Sequence, residues 1–438
     1  MLAVRLVREL GKDSPACLAA LILLAAIPLL PEYIAPLLVF GSVFAAAVDA
    51  RQRGTCLQIG TVGKLLLIYI VYVAVGVLFS AHKLNSLATF AMWLTMFGAY
   101  TSVVTVVFTR HRLQTLLLLC SLAAGAVGLI ACVQYVLRDV CLLPLPNQVW
   151  QPIDEWFYRF FPMDVDMYIA VERAAATFNN PNIMAEFLVM ALPFVALCGF
   201  DGQRTRLKLT ARLCLLFALL GVAVSYSRGA YLAVLAMVLL IIVTNLRKIT
   251  PLLLSLVAAA ALVPEAILAR LITIGSIDDF SITQRFDAWE VAVQAILENP
   301  IIGLGPGVSN FWEYAQSMGV NVPHAHNIIL QVLLEGGFVA LFLLTLVGIR
   351  MLQNSIDLLN HSPKTRLFGV FSLVFAVAFM VYGMVDYPFL CPKLVGTFTI
   401  ILGTTDAVSA LYIHQRTVPL MSWIAQPFRQ RVKQPIEG

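Results

Sequence analysis

The feature that most constrains this chain is a succession of apolar runs, each close to the length needed to cross a bilayer. They lie near residues 16–30, 33–49, 62–80, 86–108, 113–137, 183–200, 209–225, 229–244, 250–268, 326–349, 367–387 and 393–413. A helix rises about 1.5 Å per residue, so a hydrocarbon core about 30 Å thick takes roughly 20 residues. Backbone groups inside that core find no water and must bond within their own segment, which makes the spans helical. The chain is predicted to be an all-α polytopic membrane protein with about twelve spans. The first two are short or proline-interrupted and are predicted to be tilted, broken or partly re-entrant. Composition agrees: 60% of the 438 residues are hydrophobic and 12% are charged, more apolar than a soluble core requires. The opening MLAVRLVRELGKDSPACLAALILLAAIPLL places basic residues before an apolar run. No small-residue cleavage site with a soluble domain behind it follows, so the run is read as a retained first span. Residues 1–438 are expected to form a single integral membrane domain.

The charges between the runs choose an orientation. Arg5, Arg8, Lys12, Arg51, Arg53, Arg110, Arg112, Arg204, Arg206, Lys208, Arg247, Lys248, Lys364 and Arg366 fall on one set of connections, and the basic tail from Arg416 on joins them. The positive-inside rule assigns those connections and both termini to the cytoplasm. Two larger loops, 138–182 and 269–325, are then external. The net charge of +5 is explained by topology and anionic headgroups and does not call for nucleic acid. Neither a P-loop nor a Rossmann glycine pattern is present, so energy for any reaction must arrive in the substrate. Eight cysteines are scattered, without zinc-site spacing or a disulfide framework. Cys56 is expected on the cytoplasmic side, and Cys141 and Cys391 near the outer face.

The densest chemistry lies in the polar stretch 281–337, SITQRFDAWEVAVQAILENPIIGLGPGVSNFWEYAQSMGVNVPHAHNIILQVLLEGG. Asp287 to Asn299 is predicted helical, with Ala288, Ala292 and Ala295 as a close-packing stripe and Arg285 four residues before Trp289. Asn299 and Pro300 end it. Gly303, Gly305 and Gly307 permit tight turns around Pro306. His324 and His326 follow, immediately before an apolar run. This places imidazoles at a helix mouth near the membrane surface, opposite an arginine-bearing amphipathic helix.

The order Arg285, Trp289, Asn299-Pro300, Gly303-x-Gly305-x-Gly307, Phe311, His326-Asn327, Glu335-Gly336 resembles the signature region of the bacterial O-antigen ligase and O-antigen polymerase superfamily. The signature covers about a seventh of the chain, and its order and spacing carry the resemblance. Members are multispanning glycosyltransferases of GT-C-like architecture in the bacterial inner membrane. They take a saccharide from an undecaprenyl-diphosphate carrier and join it to a saccharide acceptor outside the cytoplasmic membrane. The resemblance implies two partners, a lipid-diphosphate-linked saccharide and a saccharide or glycolipid acceptor such as lipid A-core. It implies no cofactor and no metal. The oligomeric state is not written in the sequence.

Individual residues take roles from both readings. Arg228, in YSRGAYLAVLAMVLLII, stands at the outer entrance of a span, where a charge must be paired, hydrated or near headgroups. Its Ser-Arg-Gly setting resembles the superfamily's arginine before a middle span. Arg228 and Arg285 are assigned to the substrate diphosphate, for which the guanidinium fork is suited. Arg173, before the Asn179-Asn180-Pro181-Asn182 helix start, is divided between phosphate and a structural pair with Glu172 or a nearby acid. Arg270 is divided between a third phosphate ligand and a solvated helix end. His326 is assigned the catalytic or substrate-orienting role, in preference to a structural contact or a metal ligand. His324 is a weaker substrate-binding candidate, and no HExxH or acidic triad accompanies the pair. Asp386 is a candidate for a cap, an ion pair or acceptor recognition, and Glu186 for a buried pocket residue. Glu335 is too far along its helix to hold the imidazole directly and is expected to organise packing or a break. The aromatic group Trp150, Trp156, Phe157, Tyr158, Phe160 and Phe161 is read as an interfacial anchor or a sugar-stacking surface.

The leading expectation is a metal-independent ligase, with a polymerase of O-antigen, capsule or teichuronic-acid repeats as its alternative. A small-solute transporter is the alternative from another class. Transport favours paired intramembrane charges and repeated halves, which the sequence does not display.

Overall fold

The computed structural model describes residues 10–11, 14–137, 173–201, 205–244, 280–413 and 417–423. The predicted span 250–268, Arg270, Cys141, the aromatic group of residues 150–161 and the basic tail beyond 423 lie outside the described residues. The rest is almost wholly helical. The chain runs through α1 (Pro15–Ala26), α2 (Ala35–Gln52), α3 (Thr61–Phe79), α4 (Lys83–Val106), α5 (Arg110–Leu137), α6 (Pro181–Asp201), α7 (Thr205–Val224) and α8 (Arg228–Val243). After the undescribed segment come α9 (Phe280–Glu298), α10 (Val308–Ser317), α11 (Ile328–His361), α12 (Pro363–Gly383) and α13 (Pro392–Ile413). Eight helices among the described residues are long and apolar enough to cross a membrane, and Pro15–Leu29 and Arg228–Val243 are shorter apolar helices. The protein is therefore a polytopic helical membrane protein. The short, proline-broken first span is seen as α1 followed by a 3-10 turn at Ile27–Leu29.

Apolar side chains such as Leu37, Phe40, Phe44, Leu78 and Phe342 stand exposed around the outside, as lipid contact requires. The polar side chains are turned inward and bonded. At the end of the bundle where α2 finishes and α5 begins, Asp49 receives a two-pronged contact from Arg112 (2.8 and 3.0 Å), with Arg53 and Ser14 on the same carboxylate. A second buried carboxylate, Asp406 of the central helix α13, accepts from Tyr100 Oη (2.6 Å), Asn354 Nδ2 (2.8 Å), the Thr61 hydroxyl and the backbone N–H groups of Val62 and Gly63. It thus satisfies amides at the start of α3 that have no partner within that helix. Near this end a two-residue antiparallel pair, β1 (Gln58–Ile59) with β2 (Val418–Pro419), ties the chain beyond α13 to the α2–α3 connection.

The opposite end carries the 281–337 stretch. The predicted helix is present and begins earlier, at Phe280, so Arg285 and Trp289 do lie on one helix. Gly303, Gly305 and Gly307 have φ of 72°, 105° and 96°, a region that glycine enters without steric cost. Their loop docks into α11 rather than lying over it. α11 is broken at Gly337 (φ 63°, ψ −165°), and the freed groups bond to the loop: Phe338 N–H to Pro300 O (2.8 Å) and Leu304 N–H to Leu334 O (2.7 Å). Tyr72 of α3 closes the seam by donating to Gly336 O (2.9 Å). Glu335 sits at this break, accepting from Gln331 and from the Gly307 N–H. A break is thus present in the Glu335-Gly336-Gly337 element, for which packing or a break is expected.

Candidate functional site

The turn His324-Ala325-His326 is held on both sides of Ala325. Its N–H donates to the side-chain oxygen of Gln331 (2.9 Å), and its carbonyl accepts from Trp289 Nε1 (2.8 Å). Gln331 is fixed in turn by donating to Glu335 (3.0 Å), and all three groups of this relay are buried or half-buried. Asn327 caps α11 by accepting from the Ile329 and Leu330 N–H groups, and its amide donates to Met384 O at the end of α12. Between these anchors His326 adopts φ 46°, a left-handed conformation that is uncommon outside glycine and persists where surroundings over-determine it.

Asp386, just past α12, meets both imidazoles. Its Oδ1 lies 3.4 Å from His326 Nδ1 and 3.6 Å from His324 Nε2, and it also accepts the Tyr387 N–H at 2.9 Å. The rings are 3.9 Å apart. His324 is the interior member at 5% side-chain exposure, and His326, at 22%, is the more open one. Burial opposes ionisation of Asp386, but the hydrogen bonds and charges of His324 and His326 outweigh it and hold the carboxyl well below its ordinary range. Next to it, burial first and then the Glu335 charge push the Tyr387 hydroxyl well above its ordinary range, so Tyr387 stays a donor to Glu335.

A second layer comes from α6, α7 and α12. Arg173 donates to Ser225 O (2.8 Å) and to Asn182 Oδ1 (2.5 Å). Tyr382 donates to Asn182 O (2.8 Å) and touches the Ser227 hydroxyl (3.2 Å). Arg173 thus serves here to join the start of α6 to the end of α7. The Asn-Pro element does begin a helix, with Asn180 Oδ1 accepting the Asn182 N–H at 2.7 Å. Glu186 is 2% exposed, its Oε1 lacks a hydrogen-bond partner, and it is close enough to Asp386 for the two carboxyls to repel. Arg228 opens α8 directly after Ser227. A side chain at the neighbouring Gly229 would come within 2.7 Å of Val385, so this helix start is pressed against the residue preceding Asp386.

The structure therefore gathers His324, His326 and Asp386 into one cluster, sets the start of α8 with Arg228 beside it, and brings the helix of Arg285 to it through Trp289. Among the described residues the three cluster members could hold a metal, with donor atoms within 4.8 Å of one another. An apolar pocket lined by Leu24, Leu116, Phe187, Phe194 and Ile400 carries no charged side chain and is separate from this cluster. Sequence reasoning missed Gln331, Tyr382 and Tyr387. Gln331 did leave a trace, as one of two polar residues four apart, with Glu335, in an otherwise apolar run.

No curated protein matches the chain. Residues 213–345, from within α7 to the middle of α11, match the family described as O-Antigen ligase. That interval contains Arg228, Arg270, Arg285, His324 and His326, while Arg173 and Asp386 lie outside it. Over that interval, set in a polytopic helical bundle, the chain is similar to the O-antigen ligase family.

Proposed function

We propose that the chain is a metal-independent ligase that moves a saccharide from undecaprenyl diphosphate to an extracytoplasmic saccharide acceptor such as lipid A-core. It works in the inner membrane as one GT-C-like domain, with both termini cytoplasmic and the His326 end external. The observation that carries this reading is the His326–Asp386 contact at 3.4 Å, on a turn gripped by Trp289 of the helix that bears Arg285. With Nδ1 directed to Asp386, Nε2 of His326 is the ring nitrogen left for the acceptor. The acceptor oxygen attacks the anomeric carbon and its proton passes to Nε2. The bond from that carbon to the phosphate oxygen breaks, and undecaprenyl diphosphate leaves with the electron pair. Asp386 orients the ring and offsets the imidazolium charge. Arg228 and Arg285 stabilise charge growing on the leaving diphosphate, where fixed cations matter most. The carrier's hydrocarbon tail stays between helices in the bilayer.

The same donor chemistry serves a polymerase, and only the acceptor separates the two. Purified protein is given a labelled lipid-linked repeat, with and without a core-like acceptor. Acceptor-dependent attachment without chain growth is expected. A ladder of lipid-linked products in the absence of acceptor selects the polymerase. Normal product formation by Arg228→Ala or Arg285→Ala removes those residues from the diphosphate site.

A further inference from the structure

The surface of α9 is divided into three strips. Ala288, Ala292, Ala295 and Ile296 are buried against Phe311, Ala315 and Leu334. Asp287, Glu290, Gln294 and Glu298 are exposed along a second strip. Phe286, Val293 and Leu297, spaced seven and four residues apart and therefore on one line of the helix, are exposed by 56%, 48% and 75%. At about 100° per residue this apolar line borders the acidic strip on one side and the Arg285–Trp289 side on the other. A helix in water has no reason to expose such a line beside its polar face, whereas a helix at a bilayer surface needs both.

The line continues into surface that faces lipid. Ile301, just beyond α9, is 65% exposed, and the preceding Pro300 accepts the Phe338 N–H at the break in α11. Phe338 and Phe342, four residues apart on that membrane-spanning helix, are exposed by 58% and 62%. The apolar line of α9 and the outer face of α11 thus form one continuous surface.

We propose that α9 is seated in the bilayer, with Phe286, Val293, Leu297 and Ile301 in the hydrocarbon of the leaflet at the site end and acyl chains of bulk lipid as their occupant. The acidic strip faces water. Because no lysine or arginine accompanies that strip, seating depends on apolar contact and not on anionic headgroups. Its consequence, which rests on the proposed function, is that the leaflet fixes the depth of Arg285 at the level of a lipid diphosphate.

The test uses the full chain reconstituted in phosphatidylcholine vesicles, with a nitroxide at Val293→Cys, Leu297→Cys, Glu290→Cys or Glu298→Cys in a Cys56→Ser background, the parent giving the baseline. Collision with oxygen, which partitions into hydrocarbon, is compared with collision with a water-soluble nickel chelate. Oxygen is expected to dominate severalfold at 293 and 297 and the chelate at 290 and 298, unchanged when anionic lipid is added. Chelate access at 297 equal to that at 298 overturns the proposal in favour of water. Loss of access to both agents at 293 and 297 overturns it in favour of protein cover, and spin broadening that grows with protein density identifies a second copy. Oxygen access that vanishes only when lipid-diphosphate saccharide is added overturns bulk lipid in favour of the carrier tail. No turnover enters these measurements, so they stand or fall independently of His326 chemistry.

Discussion

The side-chain oxygen of Gln331 holds the backbone N–H of Ala325 at 2.9 Å, one residue before His326 enters its left-handed conformation. Gln331 therefore acts through the backbone as a positioning residue. Gln331→Met keeps the length and removes the acceptor, leaving a buried N–H unsatisfied at a cost of about 1–3 kcal/mol. Turnover is expected to fall by roughly 10–100-fold, in line with that energy, while donor KM stays within about threefold. Steady-state kinetics of the purified variant check this, and equal losses in kcat and donor affinity count against a positioning role.

Asp386 gives a pH prediction whose sign follows from its depressed pKa. A carboxyl held below its unfolded value contributes stability that is present above the unfolded pKa of about 3.9 and is lost as pH falls through the folded value. The Tm of the wild type should exceed that of Asp386→Asn at about pH 5, and the margin should shrink progressively as pH falls below about 4 toward the folded value. Scans of the two solubilised proteins across pH measure the margin. A margin that grows on acidification reverses the assigned shift.

Much of this arrangement could be read in the sequence because bilayer physics writes it there. Apolar runs, basic connections and the Asn-Pro stops each have one dominant cause, and α6, α9 and α12 sit where those signals put them. The Arg285–Trp289 spacing and the glycine run were legible for the same reason. What the sequence could not show was tertiary. Nothing local in Asp386 says that it meets His326 from a separate helix end, or that Gln331 faces Ala325 and not lipid. The sequence leaves Arg173 divided between phosphate and a structural pair because the carbonyl of Ser225, its partner, is a backbone atom that every residue possesses.

Gly337 is predicted to be intolerant of any side chain. Its φ of 63° is costly for other residues, and an added Cβ would lie 2.2 Å from Ile301 O. Gly337→Ala should destabilise the protein by about 2–4 kcal/mol, as strain and overpacking at one site do. The Gly348→Ala control, which meets nothing within 4 Å, should be neutral. Thermal inactivation of both variants in detergent decides this.

Asp406 separates stability from chemistry. Asp406→Ala strands Tyr100, Asn354 and the first amides of α3 in the bundle, so unfolding should become easier by about 3–5 kcal/mol. Transfer per folded molecule should remain near wild type, because this carboxylate lies at the opposite end from His326. Active-site titration beside a melting curve distinguishes the two, and an intact fold with lost transfer contradicts a purely structural assignment.

The last prediction separates the two imidazoles. If His326 takes the acceptor proton, His326→Ala should lower single-turnover transfer by roughly 10²–10⁴-fold and leave donor binding nearly intact. Arg285→Ala should weaken donor binding as well. His324 is the buried member of the pair and touches Asp386 at a longer distance, so His324→Ala should cost less, acting through Asp386 orientation. His326→Gln can restore hydrogen bonding without comparable basicity, so partial recovery by glutamine assigns that share to orientation and the remainder to proton transfer. The three cluster donors also permit a metal, and for that reason the wild type is assayed after chelation and again with added zinc. Unchanged transfer after chelation is expected. A loss restored by zinc would replace the proton-acceptor role with a metal-held one. Near-wild-type turnover by His326→Ala would remove His326 from the chemistry altogether.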